Sequence, residues 1–264
     1  MSYDGYLALA SVYDKLNEEI DYSKWADFFE RCFERYCEKK PEIVLDLACG
    51  TGRMTAEMAK RGYDMIGVDG SADMLSEAYA KADESEDTEK TGRILYLLQD
   101  MRSFELYGTV GAVVCCLDSI NYLLSDEDVK KTLWGVHNYL DPDGLFLFDV
   151  HTPYKFENVY GNNAYVLEGE RPDDGGAIFC GWQNEYDRES GICDFYLSIF
   201  EQMGEDETYS RSDEHQRERC YSLDALKRLL CEARLEFLGV FSDFEFSEPA
   251  EKTERWYIAA RAKK

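Results

Sequence analysis

Short apolar runs and stretches of helical period take turns along most of this chain. Ile43–Leu47, Tyr63–Asp69, Ile94–Leu98, Val110–Leu117 and Leu145–Val150 are too short for helices and rich in β-branched or aromatic residues, so they read as strands. Val110–Leu117 is apolar throughout, as a central parallel strand covered on both faces should be. Between the strands, Met54–Arg61 reads as a helix closed by Gly62, and Glu127–Tyr139 as another that ends before an Asp141–Gly144 turn. Leu223–Ala233 is amphipathic, with Ser222 placed to cap it. Near the start, Asp21 or Ser23 can cap a helix whose apolar stripe is Trp25, Phe28, Phe29 and Phe33. Leu235–Phe246 and Arg255–Arg261 read as two closing strands, and the charge-rich Lys81–Lys90 as an exposed helix end and loop.

The alternation stops from Thr152 to about Ser222. There Ile178, Cys180 and Trp182, then Cys193, Phe195, Leu197 and Ile199, recur with period two around an Arg188–Gly191 turn, and Tyr209–Tyr221 continues as a third strand. The chain therefore divides into residues 1–151 with 222–264, and an antiparallel insert over 152–221. An insert that follows the fifth strand lies over the ligand-binding edge of a parallel sheet, where insertions shape substrate access.

The chemistry concentrates at Ile43-Val44-Leu45-Asp46-Leu47-Ala48-Cys49-Gly50-Thr51-Gly52-Arg53-Met54-Thr55. A buried strand runs into a loop with glycines at 50 and 52 and then into a helix start. Without Cβ atoms, Gly50 and Gly52 let a ligand lie against backbone N–H groups. Asp46 separates the candidate ligands. A dinucleotide would put a pyrophosphate over this turn, gain nothing from a carboxylate, and want glycine near Thr55. A cationic ligand suits the carboxylate, and S-adenosylmethionine (SAM) carries an ammonium and a sulfonium.

V-L-D-L-A-C-G-T-G resembles the first motif of class I SAM-dependent methyltransferases, with Ala48 where many members have a first glycine. The resemblance covers Tyr3 to about Val150 and Ser222 to the end. It implies an α/β fold: a Rossmann-like, doubly wound, seven-stranded sheet, mostly parallel with its last strand antiparallel, here with a small antiparallel β insert. It also implies site residues. Asp69, at the end of the second strand, would accept both ribose hydroxyls; Gly70 opens a stretch resembling the second motif, in which Met74 packs on adenine. Asp100 would accept from the adenine amino group, and the Met101 N–H would bond a ring nitrogen. Cys116 and Leu117, at the end of the fourth strand, join Asp46, Ala48, Gly50 and Gly52 as cofactor-binding positions. Tyr13, Tyr22 and Trp25 would form a lid that covers the cofactor and excludes water.

The fourth strand delivers Asp118–Leu123 beside the transferred methyl group. Some amine methyltransferases have Ser-x-x-His-Leu here; this chain has Tyr122 in place of the histidine, which counts against an amine acceptor. His151, after the fifth strand, has an ordinary pKa near 6.5 that suits a base, whereas Tyr122 is a poor base that can orient an acceptor, and Asp118 is the remaining candidate.

Composition then limits partners. A formal net charge of −25 over 264 residues repels a phosphate backbone and makes nucleic acid a poor substrate. No stretch resembles a signal peptide or a membrane span, so the expectation is a cytoplasmic protein without a membrane partner. The nine cysteines, none in Cys-x-x-Cys spacing, read as reduced thiols, and three scattered histidines outline no metal site. The expected activity is methyl transfer from SAM to a small-molecule acceptor by in-line displacement, leaving S-adenosylhomocysteine (SAH). The alternative is a SAM-binding sensor or scaffold without turnover. Neither the acceptor nor the oligomeric state is legible.

Overall fold

The structure is a computed structural model that describes residues 13–15, 17–84, 91–170, 175–204 and 208–264. The elements, in chain order, are α1 (Tyr22–Tyr36), β1 (Ile43–Leu47), α2 (Arg53–Lys60), β2 (Asp64–Asp69), α3 (Ala72–Glu84), β3 (Ile94–Leu98) and β4 (Val110–Cys115). There follow α4 (Asp126–Tyr139), β5 (Leu140–His151), β6 (Ala164–Glu170), β7 (Ala177–Asp187), β8 (Ile192–Gln202), β9 (Tyr209–Arg219), α5 (Leu223–Glu232), β10 (Leu235–Phe241) and β11 (Arg255–Ala262). A 3₁₀ turn at Ser119–Tyr122 follows β4, and a π-helical turn at Lys155–Tyr160 follows β5.

Seven strands form one sheet in the order β10-β11-β5-β4-β1-β2-β3. The four central pairings from β5 to β3 are parallel, while β11 runs antiparallel to β5 and β10 antiparallel to β11. Period-two alternation gives the sheet its two covered faces. Leu45, Leu47, Val113, Cys115, Phe146 and Phe148 pack under α4 and α5, while Val44, Ala112, Val114, Leu145 and Leu147 pack under α1 and α2. Chain order reverses between β1 and β4, and a doubly wound sheet opens its ligand crevice at such a point.

Asp21, not Ser23, caps α1: its carboxylate accepts from the Lys24 N–H at 3.2 Å. Ser222 caps α5 through the Ala225 N–H, as the sequence suggests. The Asp141–Gly144 segment is built into β5, where the register with β4 slips between Val110 and Ala112 and Asp143 takes φ 60°. It is thus a bulge inside a strand that already starts at Leu140. The expected helix end near Lys81 extends to Glu84, and residues 85–90 lie outside the described residues.

The insert forms a separate antiparallel sheet, β6-β7-β8-β9. Its inward face is built by Ile178, Cys180, Cys193, Phe195, Leu197 and Ile199, packed with Phe156 and Tyr160 of the π-helical turn. Sequence periodicity misses β6, because Ala164–Glu170 is an edge strand with exposed residues on both faces and no apolar alternation.

Candidate active site

One cavity of about 460 Å³ runs from the loop after β1 to the underside of the insert sheet, a size that suits a cofactor together with a small molecule. At its floor the chain leaves β1 through three left-handed residues, Ala48 (φ 60°), Gly50 (φ 53°) and Gly52 (φ 74°). A Cβ built on Gly50 would meet nothing within 4 Å, so this backbone stands open for a ligand to lie against. Gly52 is needed for another reason. Its Cβ would strike the Tyr96 ring and sit 2.9 Å from Ala78 Cβ, so glycine lets α2 start hard against α3.

Two carboxylates flank this loop, Asp46 buried and Asp69 half-buried. Asp46 is 1% exposed and accepts from Thr55 Oγ1 at 2.6 Å. Burial pushes its pKa up to about 7; the Thr55 bond pulls the other way, and the charge on Asp69 adds to the rise. Asp69 takes the Gly50 N–H on Oδ2 and the Ser71 N–H on Oδ1, each at 2.8 Å. Burial raises its pKa while these backbone donors lower it. Both carboxylates line the cavity. Together with Gly50 they fit the expected cofactor: a carboxylate with no cation beside it among the described residues, and another fixed at the end of β2.

Past the ends of β2 and β3, Gly70, Met74 on α3, Gln99 and Met101 line the wall. The structure does not bring Asp100 there. Its carboxylate is held by Arg102, whose backbone N–H bonds Oδ1 at 2.9 Å and whose Nε bonds both oxygens. This local pairing occupies the carboxylate that the resemblance assigned to the adenine amino group.

The lid residues divide. Tyr13 and Tyr22 line the cavity, with the Arg53 guanidinium 4.6 Å from the centre of the Tyr22 ring. Next to Tyr13, Asp14 accepts from Thr51 Oγ1 at 2.6 Å and pairs with Lys81, which ties the N-terminal segment onto the motif loop. Trp25 is not part of the wall. It lies on the buried stripe of α1, edge-on to Phe29, Phe244 and Tyr257, so it belongs to the core that the helical period already indicated.

The acceptor end starts where β4 stops. Cys116 lines the cavity, and Leu117 and Asp118 follow it, both at φ 56°. Two successive non-glycine residues in the left-handed region mark a strained turn of the kind that functional sites hold. Asp118 is fixed by its N–H to Asp149 Oδ2 at 2.9 Å and by Arg255 Nη2 to its own Oδ1 at 2.9 Å. Arg255 also pairs with Asp149 and places Nη2 2.7 Å from His151 Nε2. Asp149 is fully buried, which pushes its pKa up to about 6 against the pull of Arg255.

His151 differs from the free base expected of it. It is 3% exposed, and its backbone N–H bonds Asn121 Oδ1 at 3.0 Å. Its Nε2 must accept from Arg255, so the ring proton sits on Nδ1, 3.3 Å from Glu218 Oε2 and 3.2 Å from the Tyr160 hydroxyl. Burial, then the charges of Arg255 and Lys155, push its pKa well below 6.5. His151 is thus a neutral connector. Asp118, His151 and Glu218 bring one donor atom each within 4.8 Å of one another, but the Arg255 guanidinium already supplies the positive charge at Asp118 and His151.

The insert contributes groups that sequence reasoning did not single out. β9 carries Glu214, Gln216 and Glu218 on its inward face, opposite Leu197, Phe195 and Cys193, and all three are buried. Gln216 Oε1 accepts from the Tyr122 hydroxyl at 2.9 Å. Glu218 lines the cavity, and burial, then the charge on Asp118, raises its pKa well above 4.5. Trp182, also in the wall, has a buried Nε1 without a hydrogen-bond partner among the described residues. The arrangement can hold a cofactor over the motif loop and a second molecule under the insert.

A family model described as a methyltransferase domain matches residues 44–144. YqeM of Bacillus subtilis (strain 168), a protein named as a methyltransferase, is 34% identical over 264 residues, covering 98% of each chain. The crystal structure of a SAM-dependent methyltransferase from Clostridium acetobutylicum superposes with a TM-score of 0.82 at 30% identity, covering 98% of this chain and 99% of that one. A glycine/sarcosine N-methyltransferase of Halorhodospira halochloris is 31% identical over 143 residues, 52% of this chain and 50% of its own.

Proposed function

This chain belongs to the class I SAM-dependent methyltransferases, and we propose that it moves the methyl group to a small molecule held between the motif loop and the insert. The observation that carries this reading is the single cavity, which joins Asp46, Gly50 and Asp69 at one end to Tyr122, Gln216 and Glu218 at the other. Its roof is the insert sheet, so residues 152–221 act as the acceptor module on the cofactor-binding body of residues 1–151 and 222–264. A cavity of about 460 Å³ has room for a metabolite and none for a folded macromolecule, and the net charge of −25 disfavours nucleic acid.

Bound SAM supplies a methyl carbon already activated by a sulfonium, so the protein's part is alignment in a site closed to water. Asp46 and the Gly50 backbone hold the amino-acid end, and Asp69 the ribose. Met74 and Met101 enclose the base, and Tyr13 and Tyr22 cover the ligand. Tyr122, fixed by Gln216, orients the acceptor. The similarity to a glycine/sarcosine N-methyltransferase over half of the chain supports a compact acceptor.

The test is partition of label. With methyl-labelled SAM and a size-filtered metabolite pool, label is expected in a product that passes a small-pore membrane. Label retained only with protein or nucleic acid in an unfiltered extract would refute the reading.

A further inference from the structure

Building on that small-molecule reading, we propose that the acceptor is an amine that binds as its ammonium against Glu218, and that Glu218 takes the ammonium proton before methyl transfer. Glu218 is 3% exposed and faces the cavity from β9. The charged and titratable groups around it are His151 on β5, Tyr160 and Lys155 on the π-helical turn, Asp118 after β4, Arg255 on β11 and Cys193 on β8. The positive charges are already matched. Arg255 serves Asp118 and Asp149, Lys155 pairs with Glu254 at 3.4 Å, and His151 is neutral because its Nε2 lone pair accepts from Arg255. Two carboxylates share one guanidinium, and Glu218 adds a third carboxyl group with no cation of its own among the described residues. Without a ligand, burial and Asp118 therefore keep the proton on Glu218. An ammonium brings the missing charge.

The surroundings fit a cation carrying polar groups. The Trp182 and Tyr160 rings line the chamber and can face a cation, the Trp182 Nε1, which has no hydrogen-bond partner among the described residues, can donate, and Gln216 with Tyr122 adds a fixed amide and hydroxyl. Tyr122 in place of a histidine counted against an amine in the sequence, but the insert brings a carboxyl group to the same chamber. An alcohol fits less well. It brings no charge for Glu218, and its proton is too weakly acidic for a carboxylate to remove.

Binding of the ammonium first drives the resting proton of Glu218 to water and leaves the carboxylate. The ammonium gives one proton to the Glu218 carboxylate, and the freed nitrogen lone pair forms the new N–C bond. The C–S bond breaks with its electron pair left on sulfur, giving SAH and a methylated ammonium, and Glu218 ends the cycle protonated, as it began. One proton is therefore released per methyl transferred.

The experiment compares transfer of labelled methyl from SAM to an untreated metabolite pool and to the same pool after N-acetylation, using wild type, Glu218→Gln and Glu218→Asp. SAH calorimetry on each variant reports whether the cofactor site is intact. Label is expected from the untreated pool and should fall at least tenfold after acetylation. Glu218→Gln should lose roughly 10²–10⁴ in rate with SAH affinity unchanged, and Glu218→Asp should recover part of it with a displaced pH–rate profile. Label that survives acetylation overturns the amine assignment and leaves the small-molecule reading standing. Glu218→Gln within threefold of wild type, with the same pH profile, overturns the proton-accepting role. No label from the untreated pool defeats the small-molecule reading, and this inference with it.

Discussion

Asp46→Asn should make the cofactor-free protein less sensitive to pH and should weaken SAM binding. Asparagine has the same shape and can still accept from Thr55 Oγ1, but it cannot ionise. In the wild type the folded-state pKa is about 7, against about 3.8 unfolded. A raised acid pKa stabilises the fold most below the unfolded value, and this contribution is lost as pH rises towards the folded value, at 1.36 kcal/mol per pH unit. Between pH 5 and 7, allowing for half-ionisation at pH 7, the loss from this one group is about 2 kcal/mol. Asp69, Asp149 and Glu218 tilt the curve in the same direction, but they do so in both proteins and cancel in the comparison. The assay is urea denaturation of both proteins without cofactor at pH 5, 6, 7 and 8. The stability of the variant relative to wild type should rise by about 2 kcal/mol from pH 5 to 7. Parallel curves would show that Asp46 does not titrate in this range, and its description as a buried carboxyl with no cation beside it among the described residues would fail. At pH 8, where Asp46 is ionised, the variant should bind SAM about 1–3 kcal/mol more weakly, the usual loss for a charged hydrogen bond.

Asp69→Ala removes the acceptor of the Gly50 and Ser71 N–H groups as well as the proposed ribose contact, so calorimetry should show SAM affinity reduced by about 1–3 kcal/mol. Unchanged affinity would place the ribose elsewhere. Ala48→Gly relieves a Cβ held at φ 60° and should raise stability in urea by about 1 kcal/mol or less, since glycine also gains freedom when unfolded; a clear loss would mean that the Ala48 methyl is packed. Trp25→Phe should lower the melting temperature and leave the SAM dissociation constant within about twofold, because the ring packs on Phe29, Phe244 and Tyr257 and not on the cavity. A large loss of affinity with the fold intact would return Trp25 to the lid.

The parts of the fold that carry a local signal are legible in the sequence. β1 and its loop are written by an apolar run, a carboxylate and two glycines, and the near-continuous apolar runs of Val110–Cys115 and Leu145–Val150 mark central strands. Where geometry depends on pairing, the sequence is silent. Asp213–Arg219 is polar at every position, so nothing in it tells which residues turn inward; only the register opposite Cys193 and Phe195 puts Glu218 and Gln216 under the sheet. Asp100 follows the same rule in reverse, since an arginine two residues away holds the carboxylate that the motif position assigned to adenine. His151 is at the edge where the sequence placed it, but its protonation depends on Arg255, 104 residues later in the chain. The insert's outline was readable from period-two alternation, whereas β6, an exposed edge strand, carried no such period.

The most direct test of the division between cofactor floor and acceptor roof is Gln216→Ala, which takes away the partner of the Tyr122 hydroxyl on the insert side alone. SAH affinity by calorimetry and labelled-methyl transfer to the metabolite pool are measured on the same preparation. SAH affinity is expected within about twofold of wild type, and transfer reduced about tenfold or more at limiting acceptor. A variant that transfers methyl groups at the wild-type rate, or one that loses SAH affinity in step with activity, would contradict it.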